Sequence, residues 1–258
     1  GVQTCALPIS MSNFEPKWLV RKLYKSLSRL VLEAPRRAGH YLPSLVHASD
    51  SIQPSSPRLL DLALRAVDLA ARTEITGYRT ELSDSVLYNR FPGEHYRLLN
   101  ALMLLLKPAI TVEIGTFTGM GCFALRQSAQ GVIHTFDIAA WDSFASHLTA
   151  GDFGDGRLVQ HLADLADPAQ FDAYRALLND ASLIFLDGPK NGRFEGQLLQ
   201  HLTGLEPLPG RLLVVDDIRF VNMIDFWTSI ASPKLDLTSF GHWSGTGLVD
   251  LSSPLQRV

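Results

Sequence analysis

From residue 109 onward, short runs rich in Val, Ile, Leu and Phe alternate with longer stretches of helical spacing. No other feature constrains the fold as strongly. The apolar runs fall at 110–114, 132–137, 158–161, 183–187, 212–216, 234–240 and 248–251. Helical stretches begin near Gly119, Trp141, Pro168, Gly192 and Phe220. Strands separated by helices must pair in parallel through right-handed crossovers, so the chain is expected to form a doubly wound α/β sheet. The last two runs have only residues 241–247 between them and are expected to close as an antiparallel hairpin. Upstream, Ser56-Pro57 has the form of a helix start, with the serine as cap and the proline in the first turn. Residues 58–73 and 93–107 read as helices, the second ended by Pro108.

The chain before this domain differs in character. Residues 11–37 carry a net charge of +5, and everything after them −8. Between Phe14 and Leu32, apolar residues recur at steps of three and four with cations between them, which predicts a basic amphipathic helix. Docking on protein is the expected use of its apolar face; peripheral contact with an anionic membrane through 14–32 is the lesser alternative. Residues 34–57, with four prolines and a glycine, read as a linker. Residues 1–10, GVQTCALPIS, have no charge and no periodicity; they resemble a translated sequencing adapter and are expected to be a non-native leader. The expected organisation is thus 1–10 leader, 11–57 helix and linker, and 58–258 main domain.

Composition narrows the function classes. A net charge of −3 argues against nucleic acid as a partner, because binding phosphates requires a basic excess. No run approaches the length of a membrane-spanning helix. Two cysteines make neither a disulfide framework nor a metal knuckle, so a cytoplasmic enzyme or binding domain with a small-molecule substrate is expected, and a homo-oligomer stays open.

In an open α/β sheet, ligands sit over the carboxyl ends of the strands. The first strand leads into Gly115-Thr116-Phe117-Thr118-Gly119-Met120-Gly121, a loop whose glycines allow close backbone approach and whose following helix start favours an anionic group. The dinucleotide fingerprint is absent, since position 117 is Phe. Asp137 ends the second strand, where an acid can accept from ribose hydroxyls, and Asp164 follows the third, near where an adenine amino group would lie. The fourth strand ends in Asp187-Gly188-Pro189-Lys190 and the fifth in Asp216-Asp217. Neighbouring strands would bring these three acids together, and three hard oxygen ligands suit Mg²⁺ or a similar divalent cation.

VEIGTFTGMG, residues 112–121, resembles motif I of the class I S-adenosylmethionine-dependent methyltransferases, and the seven-strand pattern with a terminal hairpin is similar to their Rossmann-like sheet. The segment GEHYRLLNALMLLLKP resembles the helix before motif I in the metal-dependent catechol and caffeoyl-CoA O-methyltransferases. The resemblance covers about residues 85–251. It implies S-adenosylmethionine as cofactor, with Glu113, Gly115, Thr118 and Gly119 at its methionine part, Asp137 at its ribose and Asp164 near its adenine. It also implies Asp187, Asp216 and Asp217 as metal ligands and Lys190 as the base that deprotonates the acceptor. His242 is a rival base by its own position, in a final hairpin that could reach over the site. Asp217 departs from the Asn of the catechol group and adds negative charge. The function implied is divalent-metal-assisted O-methylation of a small-molecule hydroxyl. A metal-independent methyltransferase of N, C or O acceptors and a non-catalytic cofactor-binding protein stay open as alternatives. Tyr88, Arg90, Phe91, Arg219, Phe220, Trp227, His242 and Trp243 are candidate substrate walls.

Overall fold

The structure is a computed structural model, and it describes residues 56–258. The expected leader, basic helix and nearly all of the linker lie outside the described residues. Seven strands form one sheet: β1 Ile110–Ile114, β2 Val132–Asp137, β3 Leu158–Leu162, β4 Leu183–Leu186, β5 Leu212–Asp216, β6 Lys234–Asp236 and β7 Thr246–Asp250. Their order is β3-β2-β1-β4-β5-β7-β6. All pairs from β3 to β5 are parallel, and β7 runs antiparallel to both β5 and β6. The doubly wound sheet with a terminal antiparallel hairpin is the expected fold.

Both faces of the sheet are buried, as parallel pairing through helices requires. Val112, Ile114, Ile184, Leu186, Leu213 and Val215 point to one face, where they meet α4 (Pro168–Asp180), α5 (Arg193–Leu202) and α6 (Ile224–Ser229). Leu183, Phe185, Leu212 and Val214 alternate to the other, beneath α1 (Pro57–Arg72), α2 (Tyr96–Leu106) and α3 (Met120–Arg126). Among the described residues, no helix is long and apolar enough to cross a membrane.

The helix starts follow local chemistry. Ser56 caps α1 by accepting from the Leu59 amide (3.1 Å), with Pro57 at the first position, as the sequence suggested. Asp167 and Pro168 repeat the device at α4 (2.9 Å). Each cap contributes about 1 kcal/mol. At the other end of a helix, the buried Lys234 ammonium donates to the carbonyls of Trp227 (2.6 Å) and Ile230 (2.7 Å), which satisfies the last turn of α6.

Three expectations need correction. The helix expected from Trp141 is instead two 3-10 turns, Trp141–Ser143 and Ala150–Phe153. Ser and Asp side chains there bond the local backbone in place of a helix: Ser146 accepts from the Leu148 amide (3.1 Å) and Asp152 from the Thr149 amide (2.7 Å). The sixth strand stops at Asp236, whose carboxylate accepts from the Thr238 amide (2.8 Å) and turns the chain into a 3-10 segment. Near Phe220, a 3-10 turn at Val221–Met223 precedes the short α6.

Candidate active site

The loop after β1 is shaped by close packing. Gly115 has φ +109, and a Cβ there would stand 2.1 Å from the Asp187 carbonyl oxygen, so only glycine lets the ends of β1 and β4 meet. At Gly119, φ is +81 and a Cβ would meet the Leu148 side chain at 2.5 Å. Phe117, where a dinucleotide fingerprint would have glycine, also takes positive φ (41°) and is 62% exposed at the loop tip. The Thr118 carbonyl accepts from the His147 amide (2.8 Å), which ties the loop to the segment after β2.

Glu113 does not reach the surface of this loop. Alternation along β1 turns it to the face opposite Val112 and Ile114, where it is fully buried under α3. Its Oε2 accepts from Thr135 Oγ1 (2.6 Å) and from the Cys122 thiol, and a Cβ at Gly121 would stand 2.2 Å from its Oε1. The expectation of direct contact with a cofactor therefore gives way to bracing of the loop and helix start from below. Burial pushes the Glu113 carboxyl up to about 8 against the pull of those two hydrogen bonds, so near neutrality it is held largely as the acid. Cys122, Thr135 and Glu113 thus form a buried polar knot, and the Cys122 thiol is itself pushed up by burial and by the neighbouring acid.

Asp137 joins this loop at the end of β2. One of its oxygens accepts from the Phe117 amide (2.9 Å) and the other from the Ala139 amide (3.0 Å), which fixes the carboxylate with lone pairs to spare. Asp164, after β3, accepts from the Ala166 amide (2.8 Å), while its own amide donates to Gln170 (2.9 Å).

The ends of β4 and β5 carry the second group. The Lys190 ammonium is bonded to Asp187, and it stands 3.7 Å from Asp216 Oδ2 and 3.3 Å from Asp217 Oδ2. Glu195, fully buried, accepts from the amides of Lys190 (2.7 Å) and Gly192 (2.8 Å) and so sets the turn that aims the lysine. Lys190 and Asp217 both take positive φ, 56° and 59°. Adjacent strand residues normally point to opposite faces; the left-handed turn at Asp217 lets it and Asp216 converge on one point.

The other oxygen of Asp216 faces imidazoles. His242 Nδ1 donates to Asp216 Oδ1 (3.0 Å) and lies 3.2 Å from Asp217 Oδ1, while its Nε2 is 3.4 Å from Glu94 Oε2. His95 Nδ1 lies 3.2 Å from the same Asp216 Oδ1 without the alignment of a hydrogen bond. Ser244 donates to Asp217. The start of α2 is pinned here because the Gly93 amide donates to the Gly241 carbonyl (3.1 Å) and the Trp243 amide to the Gly93 carbonyl (2.8 Å).

The electrostatics follow from this crowding. Burial alone would raise Asp216, but the charge of His95 and the hydrogen bond from His242 outweigh it and hold the carboxyl well below its ordinary range. Burial would lower Lys190 and His242; the acids reverse both, taking Lys190 upward and His242 to about 10. Asp187 is raised by burial and by Asp216, against the opposing ammonium of Lys190. The resemblance implied Lys190 as the base that deprotonates the acceptor, and the hairpin position made His242 its rival. The pocket is acid-rich, so Lys190 and His242 both carry protons and neither is a ready base in the chain by itself.

Asp187, Lys190, Asp216, Asp217 and His242 are thus brought together, and Gly115, Thr118, Gly119 and Asp137 form a second group beside them. Asp164 stands farther along the same sheet edge, at the end of β3. Glu94 and His95 went unread, although two polar residues at the head of the apolar run 96–106 were a usable signal. Two expected wall residues, Tyr88 and Trp227, are core side chains. Arg219 is engaged by Asp236 (2.8 Å), whereas Trp243 is 60% exposed.

No family model and no curated protein matches the chain. Solved structures do align with it. The methyltransferase PaMTH1 of Podospora anserina, bound to S-adenosylhomocysteine, is 14% identical over 95% of this chain and 99% of its own, with a TM-score of 0.44. A methyltransferase from Geobacter sulfurreducens is 14% identical over 78% and 93%, with a TM-score of 0.45. The O-methyltransferase TomG from Streptomyces achromogenes, in complex with S-adenosylmethionine, is 14% identical over 78% and 92%, with a TM-score of 0.41.

Proposed function

We propose that the chain is an S-adenosylmethionine-dependent methyltransferase that methylates a hydroxyl of a small molecule, with the cluster around Asp216 at the acceptor. The observation that carries this reading is the contact between Gly115 and the Asp187 carbonyl. It makes the loop suited to a methionine moiety and the first acid of the ionic cluster immediate neighbours on one sheet edge.

In the transfer, the S–CH₃ bond of the sulfonium breaks as an O–CH₃ bond forms, the sulfonium becomes a neutral thioether, and the hydroxyl proton leaves to a base. The loop 115–119 and Asp137 would hold the donor, with Asp164 near its adenine. Holding donor and acceptor in line supplies much of the acceleration. Lys190 would be the positive charge nearest the acceptor oxygen, would orient it and would stabilise its developing anion. Asp187 would face the same point, and His242 would cover it from the final hairpin.

The divalent cation implied by the sequence has a donor set of the right chemistry in Asp187, Asp216 and Asp217, all within 3.7 Å of one atom. That atom is the Lys190 nitrogen, so Mg²⁺ bound by the three acids would take the ammonium's place. A cation there would neutralise the charge that keeps Lys190 protonated and lower the pKa of an acceptor hydroxyl.

The test is calorimetric titration with S-adenosylmethionine and S-adenosylhomocysteine, each with Mg²⁺ and with chelator. Saturable binding of both is expected. Failure of both to bind would end the methyltransferase reading.

A further inference from the structure

His95 is fully enclosed at the head of α2, 2% exposed, and neither of its ring nitrogens has a hydrogen-bond partner. Leaving a buried polar group unsatisfied costs about 1–3 kcal/mol, and such a group commonly marks a partner that the polypeptide does not itself supply. The ring is held in place by its neighbours, with its centroid 4.6 Å from that of Tyr96 and 5.3 Å from that of Phe185. It faces His242 nearly at right angles, centroids 5.3 Å apart, with Asp216 Oδ1 reached by both imidazoles at 3.0–3.2 Å. One ligand atom from each of His95, Asp216 and His242 can be chosen so that all lie within 4.8 Å of one another. Around an ion with bonds of about 2.1 Å, ligand atoms sit about 3–4 Å apart, so small rotations of the two rings suffice.

We infer that His95, Asp216 and His242 form a binding site for a borderline first-row divalent ion such as Fe²⁺, Co²⁺ or Zn²⁺, on the face of Asp216 opposite Lys190. Two imidazoles and one carboxylate favour such ions over Mg²⁺, which prefers an all-oxygen shell. The split of Asp216 explains how both cations fit: Oδ2 faces the Lys190 ammonium, and Oδ1 faces the imidazoles. The hairpin is the closing element. The Gly93 and residue 241–243 backbones are hydrogen bonded, so the ligand on the helix and the ligand on the hairpin are set in register by main chain. Remaining positions on the ion stay open for water or an acceptor oxygen. The inference deepens the proposed function where it says what the ion would do; the binding itself stands on the geometry alone.

The full chain, stripped with chelator and dialysed, is titrated with Co²⁺ while its ligand-field absorption is followed. One Co²⁺ per chain is expected, displaced by equimolar Zn²⁺ and unaffected by a hundredfold excess of Mg²⁺. His95→Gln should weaken Co²⁺ binding at least about tenfold, and Asp187→Asn should keep the absorption bands. Absence of binding, displacement by Mg²⁺ at equal concentration, or retained affinity in His95→Gln would overturn the site. X-ray absorption at the zinc edge of the Zn²⁺-loaded wild-type chain reads the ligands without any substitution. Two imidazoles are expected, and an oxygen-only shell overturns the assignment. Cofactor titration on the same samples separates the claims. Cofactor binding without Co²⁺ sinks the metal site and spares the methyltransferase reading; Co²⁺ without cofactor does the reverse.

Discussion

The two halves of the sheet edge are built by opposite means. At the ends of β1 and β2, shape comes from the backbone: glycines at positive φ, amides donated to Asp137, and a carbonyl pressed against Gly115. At the ends of β4, β5 and β7, shape comes from charge: three aspartates, an ammonium and two imidazoles gathered from four distant segments. The first half can accept a ligand without any change of protonation. The second cannot change one partner without shifting the others, since Asp216 touches both cationic groups. A donor common to many reactions suits the rigid half, and an acceptor that must lose a proton suits the adjustable one.

If the backbone half is as rigid as its contacts imply, Gly115→Ala is the most damaging change there. The methyl would need both a disfavoured φ and separation of β1 from β4, a cost of at least about 3 kcal/mol. Thermal unfolding should show a fall in Tm of about 10 °C. A loss below about 2 °C would mean that the strand ends yield, and the contrast between the halves would fail.

Glu113→Gln sharpens the comparison from beneath the loop. An acid raised to about 8 in the folded state binds more protons than in the unfolded chain from about pH 4.5 upward, so stability falls as pH rises through that window. The amide has no such penalty. The variant should therefore gain on wild type by about 3 kcal/mol between pH 5 and pH 8, with the pH-dependent difference vanishing only below about pH 4.5. Denaturant unfolding at the two pH values reads this directly. Equal stability at both would show that the carboxyl is not held as an acid.

The contrast also explains what the sequence could disclose. The glycine loop is contiguous, and parallel register places Asp137 and Asp164 at strand ends, so that half was legible from local pattern. Even the burial of Glu113 was implied by its phase: residues 112 and 114 are both core, so residue 113 must face the other layer. The charged half was legible only as residue types. Asp187 and Lys190 are three residues apart and were read as neighbours, but the protonation of Lys190 depends on Asp216 and Asp217 turning to the same point. That turn is a φ of 59° at Asp217, which no periodicity reports. His95 lies more than 120 residues from Asp216, and only the pairing of Gly93 with the final hairpin brings them together.

The smallest expected effect tests whether the halves are separable. Ser244 is buried and donates to Asp217 Oδ1, so Ser244→Ala leaves one carboxylate oxygen short of a donor. Two cations already near Asp217, Lys190 at 3.3 Å and His242 at 3.2 Å, limit the loss to about 1 kcal/mol, a fall in Tm of about 2–4 °C. Because Ser244 touches only the charged half, affinity for S-adenosylhomocysteine should stay within about twofold of wild type. A tenfold loss, about 1.4 kcal/mol, would show that strain at Asp217 passes through Asp187 to Gly115, and the rigid half would then be as responsive as its neighbour.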